Sequence, residues 1–159
     1  MKKPLFGLLM ILLSPGLLAT PPGILRLEAR APMAVTYDAV YAALEDARFW
    51  VVFEADLGTN LATFAARWGE ELNRNALGGI RSIVVCNAWY ANQASNADPD
   101  LLALCPLRVN LVEKDGVTRV LFARPTVTAA GSPGIAVVEE VEGAIEAALL
   151  AGVAAAEAR

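Results

Sequence analysis

The sequence contains no histidine at all. Without an imidazole, neither a Ser-His-Asp triad nor a Cys-His pair can be built. Histidine-rich zinc or copper sites and a histidine-ligated haem are excluded for the same reason. Any acid–base chemistry must therefore use carboxylates, tyrosines, cysteines or Lys114. The sequence does not identify a catalytic residue or a cofactor.

Long apolar runs are also missing, because no stretch reaches the roughly 20 residues that span a bilayer. The longest apolar run, Leu5–Leu13, follows Lys2 and Lys3 and is interrupted by Ser14-Pro15-Gly16. This order is typical of a secretory signal peptide over residues 1–19, cleaved near Ala19. An uncleaved N-terminal anchor is the alternative. The pattern predicts a periplasmic or secreted protein without a stable membrane anchor.

Basic residues are scarce once this segment is removed. The mature chain keeps 11 of the 13 basic residues and all 17 acidic residues, which gives a net charge of −6. The only remaining lysine is Lys114, and no Lys/Arg cluster is left. Nucleic-acid binding needs a positive footprint, so nucleic acid is not an expected partner.

Hydrophobic periodicity divides the mature chain into alternating strands and helices. Residues 20–31 form a linker and a first strand, and residues 32–152 form a single α+β domain. Residues 153–159 are predicted to be a frayed tail. The turn Lys114-Asp115-Gly116 predicts a β-hairpin late in the chain, which argues against an all-parallel sheet. The expected fold is a two-layer α+β sandwich, with a mainly antiparallel sheet and the helices on one face.

Two tryptophans fall on these periodic segments. Trp50 lies at strand spacing and Trp68 at helical spacing, so both are predicted to be buried in the core. Asp98, followed by Pro99, is predicted to cap a short helix rather than to act as an acid or base. Ser132 and Pro133 are predicted to begin the last helix in the same way.

Four short pieces in a fixed order carry a family resemblance. They are Cys86-Asn87, Asp98-Pro99, the Leu-rich turn Leu101–Cys105 and the Val-rich strand Leu107–Glu113. Together they resemble the family called domain of unknown function 302, over about residues 30 to 150. The resemblance implies a TATA-binding-protein-like α+β fold with no DNA-binding role, and it implies no activity.

The resemblance also bears on individual positions. Both cysteines match the family pattern, which favours a shared site over chance. Ala88 departs from it, since the family often has proline after Cys-Asn, and this leaves the turn after Cys86 undetermined.

The two cysteines, Cys86 and Cys105, have three interpretations. Cys86 ends one predicted strand and Cys105 lies just before the start of another, so antiparallel neighbours would bring both sulfurs to one edge of the sheet. A structural disulfide across this loop would stabilise the fold by roughly 3 kcal/mol, and an oxidising compartment favours it. The pair could instead be two buried thiols. The third interpretation is a functional pair that is redox-active or binds a soft metal or sulfur species.

The loop between the cysteines is rich in amides and aromatic residues, which can present hydrogen bonds to a small polar ligand. A capped surface loop is the simpler interpretation. The candidate ligand-binding residues are Cys86, Asn87, Tyr90, Cys105 and Glu113. The leading hypothesis is a small binding or accessory protein whose partner is a small ligand or a periplasmic protein. A thiol-based redox protein using the cysteine pair and a structural domain that forms a homodimer are the alternatives.

Overall fold

A computed structural model describes residues 21–159, so the predicted signal peptide lies outside the described residues. The structure has five strands: β1 (Ile24–Ala29), β2 (Trp50–Asp56), β3 (Gly79–Cys86), β4 (Leu107–Lys114) and β5 (Val117–Ala123). They form one sheet in the order β1-β5-β4-β3-β2, and every neighbouring pair is antiparallel. The predicted antiparallel sheet is confirmed.

The β4–β5 hairpin follows directly from local sequence. Asp115 and Gly116 both have positive φ values, 53° and 77°. A two-residue turn with positive φ at both positions matches the right-handed twist of the flanking strands. Along β4, Val109 and Leu111 are buried whereas Arg108 is exposed, as strand alternation requires.

Two long helices cover one face of the sheet. They are α1 (Met33–Asp46) and α6 (Ile135–Glu157). Buried side chains from both helices and from the inward face of the strands form the main core: Val40, Leu44, Ile83, Val85, Val109, Leu111, Val120, Phe122, Ile145 and Leu149. The predicted two-layer α+β architecture is therefore confirmed.

The end of the chain differs from the predicted frayed tail over residues 153–159, because α6 continues to Glu157. Ala156 is buried in a small cluster with Ala29, Ala31 and Ala39. The Glu157 carboxylate accepts a hydrogen bond of 3.0 Å from the backbone N–H of Arg30. Alanine-rich sequence alone suggests fraying, but contacts with α1 and β1 hold this last turn.

The segment between β2 and β3 also differs from expectation. The helical spacing around Trp68 predicts a helix packed on the core. The chain instead forms α2 (Leu57–Ala62), α3 (Ala65–Trp68) and a 3-10 turn (Gly69–Glu71), and none of them has a buried residue. The predicted burial of Trp50 and Trp68 is wrong, since they are 54% and 40% exposed. Trp68 stacks on Phe64 instead, with ring centroids 4.6 Å apart.

The exposure of Trp50 follows from sheet register. Trp50 pairs with Cys86, and the next pair along, Val51 with Val85, places the fully buried Val85 on the helix side. Successive residues of a strand point to opposite faces. Trp50 therefore points to the face that α1 and α6 leave uncovered. Among residues 21–159, no helix is both long and apolar enough to cross a membrane.

Three short elements lie at one end of the sheet and shape the site described below. They are α4 (Ala88–Ala97), a 3-10 helix (Pro99–Leu104) and α5 (Pro125–Thr128). Asp98 caps the 3-10 helix by accepting the N–H of Asp100 at 3.1 Å, as predicted. The Ser132 hydroxyl donates to the Asp98 carboxylate at 2.6 Å. The last helix begins at Ile135 rather than at Ser132, whose hydroxyl accepts the N–H of Gly134.

Candidate functional site: a thiol pair beside an apolar pocket

Strand pairing brings the two cysteines together. Cys86 is the last residue of β3, and Cys105 follows the 3-10 helix just before β4. Because Val85 pairs with Leu107 across these antiparallel strands, the end of one strand meets the start of the other. The two Sγ atoms are 3.7 Å apart, in contact but well beyond the roughly 2.05 Å of a disulfide bond. The structure thus shows two free thiols rather than a structural bridge.

The surroundings keep Cys105 protonated. Burial raises the pKa of the Cys105 thiol to about 11, and the hydrogen bond and charge of Cys86 act in the same direction. Burial has this effect because a low-dielectric environment disfavours the thiolate. At neutral pH, Cys105 is therefore an uncharged thiol in contact with Cys86.

Asn87 fixes the direction in which the chain leaves Cys86. Its side-chain oxygen accepts the N–H groups of Trp89 and Tyr90, at 3.0 and 3.2 Å, and so caps the start of α4. This use satisfies backbone donors that a helix N-terminus otherwise leaves unpaired. Asn87 lies at the pocket, but its oxygen is already engaged in capping.

A pocket of about 470 Å³, counting the part open to solvent, lies beside the thiols. It is enclosed by the end of β3, α4, the 3-10 helix and α6. Cys86 and Cys105 both line it, together with Asn87 and Tyr90. The other walls are apolar and include Val85, Leu101, Leu104, Val137, Val138 and Val141. The thiols are therefore among the few polar groups that face this space.

Two contacts hold the Tyr90 side chain in the pocket wall. Its ring stacks on Phe49 with centroids 5.9 Å apart and planes 14° from parallel. Its hydroxyl donates a hydrogen bond of 3.1 Å to the carboxylate of Glu140 on α6. Burial raises the pKa of Tyr90, and the Glu140 hydrogen bond raises it further, so the phenol stays protonated. Tyr90 ties α4 both to the core and to α6.

Glu113 is the predicted ligand-binding residue that the structure does not bring to this site. It lies near the far end of β4, roughly 20 Å along the strand from Leu107. Its carboxylate accepts the backbone N–H of Met33 at 2.9 Å. Because a helix start has unpaired N–H groups, Glu113 stabilises the beginning of α1.

The apolar residues of the pocket were not predicted as site residues. Val138 and Val141 fall on the buried stripe of α6, and Leu101 and Leu104 read as packing residues of a short helix. Helical spacing identifies an inward face, but it does not distinguish a filled core from the wall of a pocket. No signal in the sequence separates the two.

The described residues provide few ligands for a metal ion. Within residues 21–159, no group of three or more Cys, Asp or Glu side chains is arranged to hold a metal. The thiol pair alone supplies two sulfur donors, whereas structural zinc sites use four protein ligands.

A polar cluster anchors α5, whose Pro125 lines the pocket, to α6. Arg124 contacts the carboxylates of Glu142 and Glu146 at 2.7 and 3.1 Å. The hydroxyl and the backbone N–H of Thr126 donate to Glu142 at 2.6 and 3.1 Å. Burial alone would raise the pKa of Glu142, but the hydrogen bonds from Thr126 and Arg124 outweigh it and lower that pKa.

We therefore expect the Glu142→Gln variant to be less stable than the wild type near neutral pH, with the difference shrinking in acid. A carboxyl with a lowered pKa in the folded state stabilises the fold above its ordinary value of 4.5, and this contribution is lost as pH falls through the folded pKa. Urea unfolding at several pH values between about 7 and 3 measures this difference. Glu139→Gln, an exposed position on the same helix, is the control. A difference that stays constant with pH would contradict the expectation.

Comparisons with known proteins identify the family and the fold of the chain. No curated protein matches it. A solved structure described as an uncharacterized conserved protein DUF302 from Bacillus stearothermophilus is similar in fold, with a TM-score of 0.71 and 16% sequence identity. The match covers 82% of this chain and 98% of that chain. The family described as "Domain of unknown function DUF302" matches residues 25–151, nearly the whole of the described chain. The protein therefore belongs to the DUF302 family, as the order of its cysteine, Asp-Pro and strand segments predicted.

Proposed function

We propose that this protein is a small binding protein that holds a small, mainly apolar ligand in the pocket beside Cys86 and Cys105. One observation carries the proposal: two thiols in contact, 3.7 Å apart, line a pocket whose other walls are largely apolar. Burial of ligand surface against such walls provides affinity of roughly 25 cal/mol per Å². A few fixed polar groups then provide orientation, and here these are the thiols and Tyr90.

The surroundings of the thiols favour binding over acid–base catalysis. The sequence contains no histidine that could activate a thiol, and its only lysine outside the N-terminal segment, Lys114, lies at the β4–β5 turn. The residues that line the pocket include no carboxylate. The carboxylate of Glu140, which is hydrogen-bonded to a pocket residue, accepts its bond from the Tyr90 hydroxyl. The pocket thus offers shape and soft polar groups rather than a general base.

Binding of the neutral, environment-sensitive dye Nile red tests this proposal. Ala91 lines the pocket from α4, so Ala91→Phe should fill it and weaken dye binding by about tenfold or more. Val137→Phe fills the same pocket from α6 and provides an independent variant. Ala42→Phe makes the same change as the first variant at an exposed position of α1 and should bind the dye like the wild type.

Circular dichroism checks that each variant is folded. Exposed aromatic residues such as Trp50 could also bind dye, but that binding would be unaffected by Ala91→Phe. Equal dye affinity in the wild type and in both pocket-filling variants would refute the proposed binding site.

We also propose that the protein acts outside the cytoplasm, after cleavage near Ala19. The support is the order of Lys2, Lys3 and the short apolar run that follows. The intact mass of protein recovered from the periplasmic fraction should correspond to a chain that begins at Thr20. A full-length chain found only in the cytoplasm would contradict this assignment.

A further inference from the structure

The thiol contact is close enough for a disulfide to form with small local movements. The Sγ atoms would approach from 3.7 Å to about 2.05 Å. Both cysteines lie where regular structure ends, at the last residue of β3 and at the cap of the 3-10 helix. The chain between them forms α4 and that 3-10 helix, which are two of the elements that line the pocket. Oxidation of the pair and occupancy of the pocket therefore involve the same elements.

The two thiols have different surroundings. Cys86 is the last residue of β3 and directly precedes Asn87, the cap of the ten-residue helix α4. Cys105 is held in its protonated form, chiefly by burial. We assign the attacking role to Cys86, which lies at the start of α4, and the resolving role to Cys105, whose Sγ atom lies 3.7 Å from that of Cys86.

We propose that the ligand is a low-molecular-mass organic disulfide with an apolar arm, which Cys86 and Cys105 reduce by thiol–disulfide exchange. This inference rests on the proposed binding function, since the pocket would hold the apolar arm. Cys86 loses its proton and attacks one sulfur of the ligand, the ligand's S–S bond breaks, and the departing thiolate takes up that proton. Cys105 loses its proton and attacks Cys86 in the mixed disulfide, which releases the second half of the ligand as a thiol. The protein is oxidised by two electrons, and the ligand is reduced to two thiols.

The environment favours this chemistry over binding of a soft metal ion. Exchange converts the thiol pair into an uncharged disulfide, and only one sulfur carries a negative charge at each step. A metal bound by the pair requires both sulfurs as thiolates, and an apolar pocket disfavours buried charge. Within residues 21–159, no third Cys, Asp or Glu side chain joins the pair in a group that could hold a metal.

Reaction with 2,2′-dipyridyl disulfide, a neutral aromatic disulfide, tests the inference. The reduced wild-type protein should release two thiopyridone molecules per chain and end with an unmodified mass lowered by two hydrogens. Cys105→Ser should release one thiopyridone and retain a pyridyl adduct on Cys86. Cys86→Ser should react about tenfold more slowly, because it lacks the thiol at the start of α4. Circular dichroism again checks folding, and the wild-type mass alone decides whether an internal disulfide forms.

The pocket-filling variant separates the two proposals. Ala91→Phe should slow the reaction with dipyridyl disulfide by about tenfold, but change the reaction with the charged, hydrophilic glutathione disulfide much less. Two pyridyl adducts on the wild type, with no internal disulfide, would overturn the exchange reaction while leaving a Nile red site intact. An unchanged rate in Ala91→Phe would overturn the assignment of the ligand class. Absence of Nile red binding to the wild type would instead reject the proposed binding function itself.

Discussion

Replacing Phe49 by alanine is expected to lower the free energy of unfolding by about 3–5 kcal/mol. Phe49 is only 1% exposed and belongs to the main core. Its backbone N–H donates to the carbonyl of Leu44 at 2.9 Å, which fixes the turn from α1 into β2. Removing its ring leaves a cavity that the surrounding strands and helices can only partly close. Urea unfolding followed by circular dichroism measures the change.

Phe53→Ala is the matched control for this prediction. It removes the same side chain four residues later, from a position in β2 that is 61% exposed. An exposed substitution of this kind should change stability by no more than about 0.5 kcal/mol. A loss as large as that of Phe49→Ala would mean that another part of the molecule covers this face of the sheet.

Phe49→Ala should also affect the pocket. The Phe49 ring stacks on Tyr90, and Tyr90 forms part of the pocket wall. Loss of the stacking partner should let Tyr90 and the start of α4 move, so Nile red binding should weaken together with stability. Phe53→Ala should leave dye affinity unchanged. Unaltered dye affinity in a folded Phe49→Ala protein would show that Tyr90 is held without its aromatic partner.

Gly152→Ala is expected to destabilise the protein by about 1–3 kcal/mol, although alanine is a better helix former than glycine. Gly152 lies where α6 crosses α1. A Cβ atom at this position would be 2.8 Å from the Cα of Val40 and 3.1 Å from its Cγ2. The first contact is with backbone, so the helices must separate to admit even one methyl group. Chemical unfolding provides the measurement.

Gly143→Ala makes the same substitution in the same helix and has the opposite expected sign. A Cβ atom at Gly143 meets nothing within 4 Å. With no contact to oppose it, the propensity difference should stabilise the fold by up to about 1 kcal/mol. Loss of stability in both variants would point to a general effect on α6 rather than to the helix crossing. Stabilisation in both would contradict the close approach at Gly152.

Much of the fold was predictable because its determinants are local. The alternation in β4, the Asp115-Gly116 turn and the Asp98 cap each depend on a few neighbouring residues, and the structure confirms all three. The predicted placement of the cysteines also follows from strand order. Cys86 ends one strand and Cys105 precedes its antiparallel neighbour, so the sulfurs meet at 3.7 Å.

Other features differ from what the sequence suggests because they depend on distant parts of the chain. Trp68 shows helical spacing, yet the segment that carries it breaks into short helices without a core to pack on. Nothing in the sequence around Glu113 distinguishes it from other strand residues. Its hydrogen-bond partner, the backbone N–H of Met33 at the start of α1, is brought to it only by the fold. The alanine-rich sequence beyond Gly152 suggests fraying, but in the structure Ala156 is buried against alanines of other elements.

The sequence by itself determined the order of the strands along the chain, their antiparallel pairing and the exclusion of any chemistry that needs histidine. Alternation, turn residues and composition are properties of short segments, and they act wherever the segment lies. Tertiary structure alone decided which face of the sheet is covered, where a pocket stays unfilled and how each thiol is solvated. These features depend on volumes and distances between residues far apart in the chain, such as Leu101 and Val138 or Val40 and Gly152, and no local pattern encodes them.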